Sequence, residues 1–242
     1  MLNRQGKKRP NIAGFKAFFS EDTSFSYNPA HSDIVDASNM EAMKAFLYAT
    51  GATTNPVGMV FGDGTVDDTT IMKLESEHRP RTIELVSMST LWCQVWSALG
   101  VLRTGGSFIC KVTDSFSRCA IGTYYLMCHC FRFVTFIKPS MSCPSKCERF
   151  LVALDFLGQD NETVQSVRAH LAHVLSVAAS LPEDKDVVQI IPMAIILQEP
   201  FLNRMTKLNE RCFMAFQYFP SNTFSHFFGY LSADVFVSQG GT

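Results

Sequence analysis

Charge is what this chain has little of. Charged residues make up 18% of its 242 positions, and 21 lysines and arginines nearly cancel 22 aspartates and glutamates, for a net of −1. A general attraction to nucleic acid is thereby excluded, so any RNA surface must be a local patch. Long apolar runs are missing too: no stretch reaches the roughly 18 residues that a membrane-spanning helix needs. The N-terminus is basic and polar, without an apolar signal region. Neither an internal repeat nor a low-complexity segment is present, which sets aside solenoids and biased tracts.

What is present suits a packed interior. Hydrophobic residues are 47% of the chain and phenylalanine occurs 21 times. The length allows one large α/β domain or two small ones. The eight cysteines are scattered, several inside apolar runs, as reduced buried cysteines are. That favours a reducing, intracellular compartment over a disulfide framework. Cys128-x-Cys130 and Cys143-x3-Cys147 have spacings that metal sites use. Cys128 and Cys130 fall in a predicted helix, however, where residues two apart face different ways, and no histidine pair follows at a fitting distance. His170 and His173 alternate with apolar core positions. No metal is expected.

Strands and helices alternate as far as Leu157. Asn11–Phe19 reads as a strand, Asn39–Ala49 as a helix capped by Asn39, and Val57–Phe61 as a short buried strand closed by Gly62-Asp63-Gly64. A long helix is predicted over Thr82–Leu102, with Leu85, Met88, Trp92, Val95, Trp96, Leu99 and Leu102 on one face. Gly105-Gly106 then reads as the turn that stops it. A strand over Ser107–Val112, a helix over Ser117–Phe131 and strands over Phe133–Ile137 and Phe150–Phe156 follow. This alternation argues for a parallel α/β sheet. Beyond it come helices over Val164–Leu181 and Phe201–Phe219, with an apolar stretch between them at Val187–Ile196.

Within this frame one lysine and one glutamate stand where strands meet loops. Lys111 ends the strand Ser107-Phe108-Ile109-Cys110-Lys111-Val112, and Glu148 opens the strand that contains Phe150. Open α/β sheets bind ligands at the carboxyl ends of their strands, so these charges are placed toward a site.

The segment Val101–Lys111 resembles the lysine-bearing strand of the FtsJ-like ribose 2′-O-methyltransferases. Asp114-Ser115-Phe116 and Ile121-Gly122-Thr123-Tyr124-Tyr125-Leu126 follow as in the branch that acts on messenger RNA caps. Phe136-Ile137-Lys138-Pro139, Ser142, Pro144 and Glu148-Arg149-Phe150 are similar to that branch's K-P-x-x-S-R-P-x-x-S-E-R-Y segment, with Cys143, Cys147 and Phe150 as departures. Asp186–Pro192 and Leu208-Asn209-Glu210 are similar to its C-terminal extension. The ordered series spans about Gly14 to Phe219 and is strongest over 99–157.

The resemblance implies a Rossmann-like α/β sheet that takes S-adenosylmethionine, N-terminally incomplete, over 1–157. A mostly helical C-terminal extension over 158–242 packs on it. It implies methylation of the ribose 2′-hydroxyl of cap-proximal nucleotides in capped mRNA, and a nuclear setting, with no membrane and no metal. Three members of the family's Lys-Asp-Lys-Glu tetrad map onto Asp63, Lys111 and Glu148. Ser32-Asp33-Ile34 resembles a turn whose aspartate contacts the cofactor, so Asp33 and Asp63 are the cofactor candidates. Lys138, Arg149 and Arg118 are the candidates for RNA contact, with Lys146 and the basic start Lys7, Lys8 and Arg9 behind them. The family's glycine-rich cofactor loop and first catalytic lysine precede the part that matches. One lysine then faces two carboxylates, and this chain alone is expected to be nearly inactive. The other reading is an inactive relative that keeps the fold as an RNA- or protein-binding scaffold.

Overall fold

The computed structural model describes residues 57–63, 83–112, 115–139, 148–182, 185–197, 200–218 and 236–237. The strand and helix expected before Val57, together with Asp33, Lys146 and the basic start, lie outside them.

Strand β1 (Val57–Gly62) leads to helix α1 (Ile83–Val101) and strand β2 (Leu102–Val112). Helix α2 (Arg118–Cys130) and strand β3 (Phe131–Ile137) follow, then β4 (Arg149–Phe156) and helix α3 (Glu162–Ser180). A single turn α4 (Met193–Ile196), helix α5 (Pro200–Tyr218) and the two-residue β5 (Phe236–Val237) complete the described elements. Helix starts are chemically specified. Ser117 Oγ accepts from the Ala120 amide at 3.0 Å, and Asn161 Oδ1 from the amides of Thr163 and Val164 at 3.0 and 3.2 Å. Each side chain satisfies donors that the first helical turn leaves without partners.

The sheet runs β1-β2-β4-β3-β5. Among the described strands only β1 and β2 pair in parallel; β4 is antiparallel to both β2 and β3. This corrects the all-parallel expectation. β2 and β3 do run in the same direction, as the helix between them requires, but β4 is inserted between them. The segment from Ile137 to Arg149 is too short for the crossover of a dozen or more residues that a parallel return takes, so the chain turns straight back.

Gly105 and Gly106 are corrected as well. They lie inside β2, which begins at Leu102. The β1–β2 register jumps there, from Val57↔Leu102 to Met59↔Ser107. Gly105 takes φ +76°, the left-handed conformation that admits the extra residues of a bulge. A Cβ on Gly106 would lie 2.8 Å from the Arg103 carbonyl oxygen.

Helices α1 and α2 lie against one face of the sheet, and α3 packs against both of them. The predicted single stripe on α1 is wider in fact: from Leu91 to Val101 only Trp96 is not fully buried, because sheet and helices enclose α1 from several sides. Helices α3 and α5 join the same core through Val164, Val167, Leu171 and Val174 of α3 and Phe201, Met205 and Leu208 of α5. The irregular stretch before α4 is tied down on both flanks. Cys119 Sγ donates to the Val187 carbonyl at 2.9 Å, and His170 Nε2 meets the Ile190 carbonyl at 2.9 Å. On the opposite face of the sheet, Met59, Phe61, Phe133, Ile137 and Leu154 are exposed.

Candidate active site

The strand directions assemble the site. β1 and β2 are parallel, so their carboxyl ends lie side by side, with Gly62 opposite Cys110. β4 runs the other way, so its first residues arrive at the same end, with Phe150 opposite Lys111 and Arg149 opposite Val112. Asp63 follows β1, Lys111 is the penultimate residue of β2, and Glu148 immediately precedes β4. Three residues far apart in sequence thus meet at one end of the sheet.

Their side chains converge. Lys111 Nζ is 3.2 Å from Glu148 Oε2 and 3.7 Å from Asp63 Oδ1. The lysine and glutamate side chains are 22% and 26% exposed and the aspartate 61%. The group is therefore open to a ligand on the aspartate side and packed on the other. The rings of Phe61 and Phe150, 5.9 Å apart, lie beside it in the same two strands.

Two contacts hold the carboxylates in place. Lys138 Nζ donates to the Glu148 backbone carbonyl at 3.1 Å, so this cation fixes the start of β4. At Gly62, a Cβ would come within 2.3 Å of Gln94 Oε1. Only glycine lets the buried amide of α1 lie against the strand just before Asp63. Cys110, between Gln94 and the lysine, is no nucleophile: burial, and then the charge of Asp63, push its thiol up to about 12.

A model of the FtsJ-like methyltransferase family matches residues 10–156. The chain belongs to that family. Among curated relatives, it is 34% identical to cap-specific mRNA (nucleoside-2′-O-)-methyltransferase 1 of Xenopus laevis over 53% of this chain and 15% of that protein. It is 34% identical to the Drosophila melanogaster protein of the same name over 65% of this chain and 19% of that one. A third relative, from Caenorhabditis briggsae, is named inactive cap-specific mRNA (nucleoside-2′-O-)-methyltransferase 1B; there identity is 26% over 84% of this chain and 23% of the relative. The chain spans less than a quarter of the length of each of these three.

The RNA-contact candidates separate in this FtsJ-like structure. Arg118 is exposed at the first turn of α2. Lys138 is half-buried and bonded to the Glu148 carbonyl. Arg149 is an interior residue, 2% exposed. Its Nη2 donates to Ser115 Oγ at 2.5 Å and to Asn209 Oδ1 at 3.3 Å, and its guanidinium lies 5.8 Å from the centre of the Phe136 ring. So placed, it offers nothing to a phosphate. The alternation of a strand sends Arg149 to the helix-covered face while Lys111 and Phe150 point to the other.

Residues with a part in the site that the sequence reading left without a role are Gln94, Ser115 and Asn209. Gln94 had a signal, being an amide on a helix otherwise apolar around it. Ser115 and Asn209 lie within family-like segments, but only the fold shows that they touch. Among the described residues no group of three or more His, Cys, Asp or Glu could hold a metal, and no helix is long and apolar enough to cross a membrane.

Proposed function

We propose that this chain is part of an enzyme that methylates the ribose 2′-hydroxyl of cap-proximal nucleotides in mRNA with S-adenosylmethionine. Residues 1–157 would form the methyltransferase core, residues 158–242 an extension packed on it, and the setting would be nuclear. The observation that carries the reading is the meeting of Asp63, Lys111 and Glu148 at the carboxyl end of β1 and β2 in a chain of the FtsJ-like family.

The described residues fit the cofactor as far as they reach. S-adenosylmethionine, when bound, supplies a methyl group on a positively charged sulfur. Asp63 is an exposed carboxylate at the strand end where such sheets take ligands, the type of group that holds a cation-bearing molecule. Asp33 is proposed as its second contact.

Methyl transfer to a sugar oxygen needs alignment first and proton management second. The ribose 2′-hydroxyl loses its proton as its oxygen gains a bond to carbon. Lys111 Nζ is the group placed to meet that oxygen, either receiving the proton as an amine or stabilising the forming charge as an ammonium. Glu148 Oε2 and Asp63 Oδ1 hold Nζ from two directions, which limits where the oxygen can sit. Lys138 supports this through the Glu148 backbone and, with Arg118, offers the cationic side chains for the RNA phosphates.

The likeness to a relative named inactive favours a second reading, a scaffold that keeps the fold and binds RNA or protein without turnover. One experiment separates the two. Capped RNA and labelled S-adenosylmethionine are incubated with the longest natural protein that carries this chain. Label on the 2′-oxygen of a cap-proximal nucleotide, abolished by Lys111→Ala, supports the enzyme. Absence of label with RNA binding retained supports the scaffold, and label on a base overturns the ribose assignment.

A further inference from the structure

Behind the Lys111–Glu148 pair, on the helix-covered side of the sheet, lies a buried polar cluster of Ser115, Arg149 and Asn209. Asn209 belongs to α5, in the C-terminal extension. Its Oδ1 accepts from Arg149 Nη2 at 3.3 Å and from Ser115 Oγ, and its Nδ2 donates to the Ser115 carbonyl at 2.9 Å. Arg149 Nη2 also donates to Ser115 Oγ. Ser115 is wholly buried and Arg149 nearly so.

The cluster joins the two stretches of backbone that carry the site. Arg149 directly follows Glu148, and Ser115 lies in the segment that leaves β2 just after Lys111. Ladder pairing between β2 and β4 ends at Val112↔Arg149. Glu148 therefore stands one residue beyond the last ladder pair. Its backbone is set by the Lys138 ammonium on its own carbonyl and by the anchoring of Arg149 next to it.

We propose that Asn209 is a positioning residue: one amide from the extension clamps Ser115 to Arg149 and thereby sets the separation of Lys111 and Glu148 on the other side of the sheet. The consequence for rate rests on the methyl-transfer reading above; the clamp itself rests on the hydrogen bonds alone. A helix of the C-terminal extension thus acts on the geometry of the site through Ser115 and Arg149. The effect on rate is large because displacing a reacting group by about 1 Å costs on the order of a hundredfold.

The test is hydrogen exchange by mass spectrometry on the longest natural protein that carries this chain, with methyl transfer measured in parallel on the same protein. Asn209→Ala is expected to raise exchange at least tenfold at the end of β2 and the start of β4, while peptides from α2 and β3 keep their protection. It is expected to lower kcat about ten- to a hundredfold with KM for RNA unchanged. Asn209→Asp keeps an acceptor for Arg149 and should recover most of that rate. A uniform rise in exchange across the sheet would make Asn209 a general stability residue and overturn the proposal. So would unchanged exchange, or an unchanged kcat in an active protein. If Asn209→Ala does not fold, Ser115→Ala, which removes only a hydroxyl from the cluster, is judged by the same two patterns. If the unmutated protein transfers no methyl group, the function reading fails, and the exchange pattern still decides whether the clamp exists.

Discussion

Glu148 Oε2 and Lys111 Nζ stand 3.2 Å apart at the open end of the sheet, each about a quarter exposed. A pair that wet contributes about 0–1 kcal/mol to stability, since solvent screens it and two long side chains must be ordered. Its value therefore lies in orientation. Glu148→Gln keeps the shape and removes the charge. Methyl transfer is expected to fall about a hundredfold or more, while the melting temperature moves by no more than about 2–4 °C. Label transfer and a thermal melt on the same preparation check this; a large loss of stability would assign the pair a structural role.

Arg149 should behave oppositely. Its guanidinium is interior and bonded to Ser115 and Asn209. Arg149→Met leaves those two groups to find other partners, at an expected cost of about 2–4 kcal/mol in urea unfolding. Lys138→Ala and Arg118→Ala are expected to leave stability within about 1 kcal/mol and to weaken RNA binding, with a shallower dependence on salt. Equal loss of RNA affinity by Arg149→Met at full folding would place that residue on the RNA after all.

Gly62 admits no side chain without displacing Gln94. Gly62→Ala puts a Cβ 2.3 Å from Oε1 of Gln94, a buried side chain that must then shift. Overpacking of this sort costs about 1–3 kcal/mol. Because Asp63 is the next residue, cofactor affinity should drop as well. Gln94→Ala combined with Gly62→Ala should recover part of the stability; failure to recover would place the clash elsewhere.

Three thiols impose an alkaline limit, Cys110 and Cys130 buried and Cys128 half-buried. Burial pushes Cys110, Cys128 and Cys130 up to about 12 from an ordinary 9.0; the charge of Asp63 adds to the rise at Cys110 and Cys128 to that at Cys130, while Arg204 partly opposes it at Cys128. Below pH 9 both folded and unfolded chains keep these protons, and the stability is fully present. Between 9 and about 12 the unfolded chain releases protons that the fold retains, so stability falls as pH rises through that window. The urea midpoint should be flat from pH 7 to 8.5 and decline above 9. At pH 8 Cys110 and Cys130 should resist alkylation until the protein is unfolded. Prompt alkylation of Cys110 in the native protein would contradict its burial.

Several elements were legible from the order of residues alone. The helices expected over Ser117–Phe131 and Val164–Leu181 are α2 and α3, their apolar spacing repeating over several turns, though the caps at Ser117 and Asn161 emerge only in the structure. β1, β3 and β4 are short apolar runs bounded by glycine, proline or charge. Asp63, Lys111 and Glu148 were singled out by an ordered series of short resemblances, and each lies at a strand end. These signals are local, because periodicity links residues only a few positions apart.

Tertiary structure decided the rest. The alternation of elements cannot tell that β4 turns back between β2 and β3, since that depends on which strand edge is free when the chain returns. It cannot tell that Arg149 faces inward while Glu148 and Lys111 meet outside, because strand period alone leaves the choice of face to the packing of α2 and α5. Nor can it read a bulge at Gly105 or a bond from Asn209 to Ser115, which join segments distant along the chain. Local chemistry determined which pieces form; burial of apolar area and satisfaction of buried polar groups, both properties of the whole fold, determined how the pieces face one another.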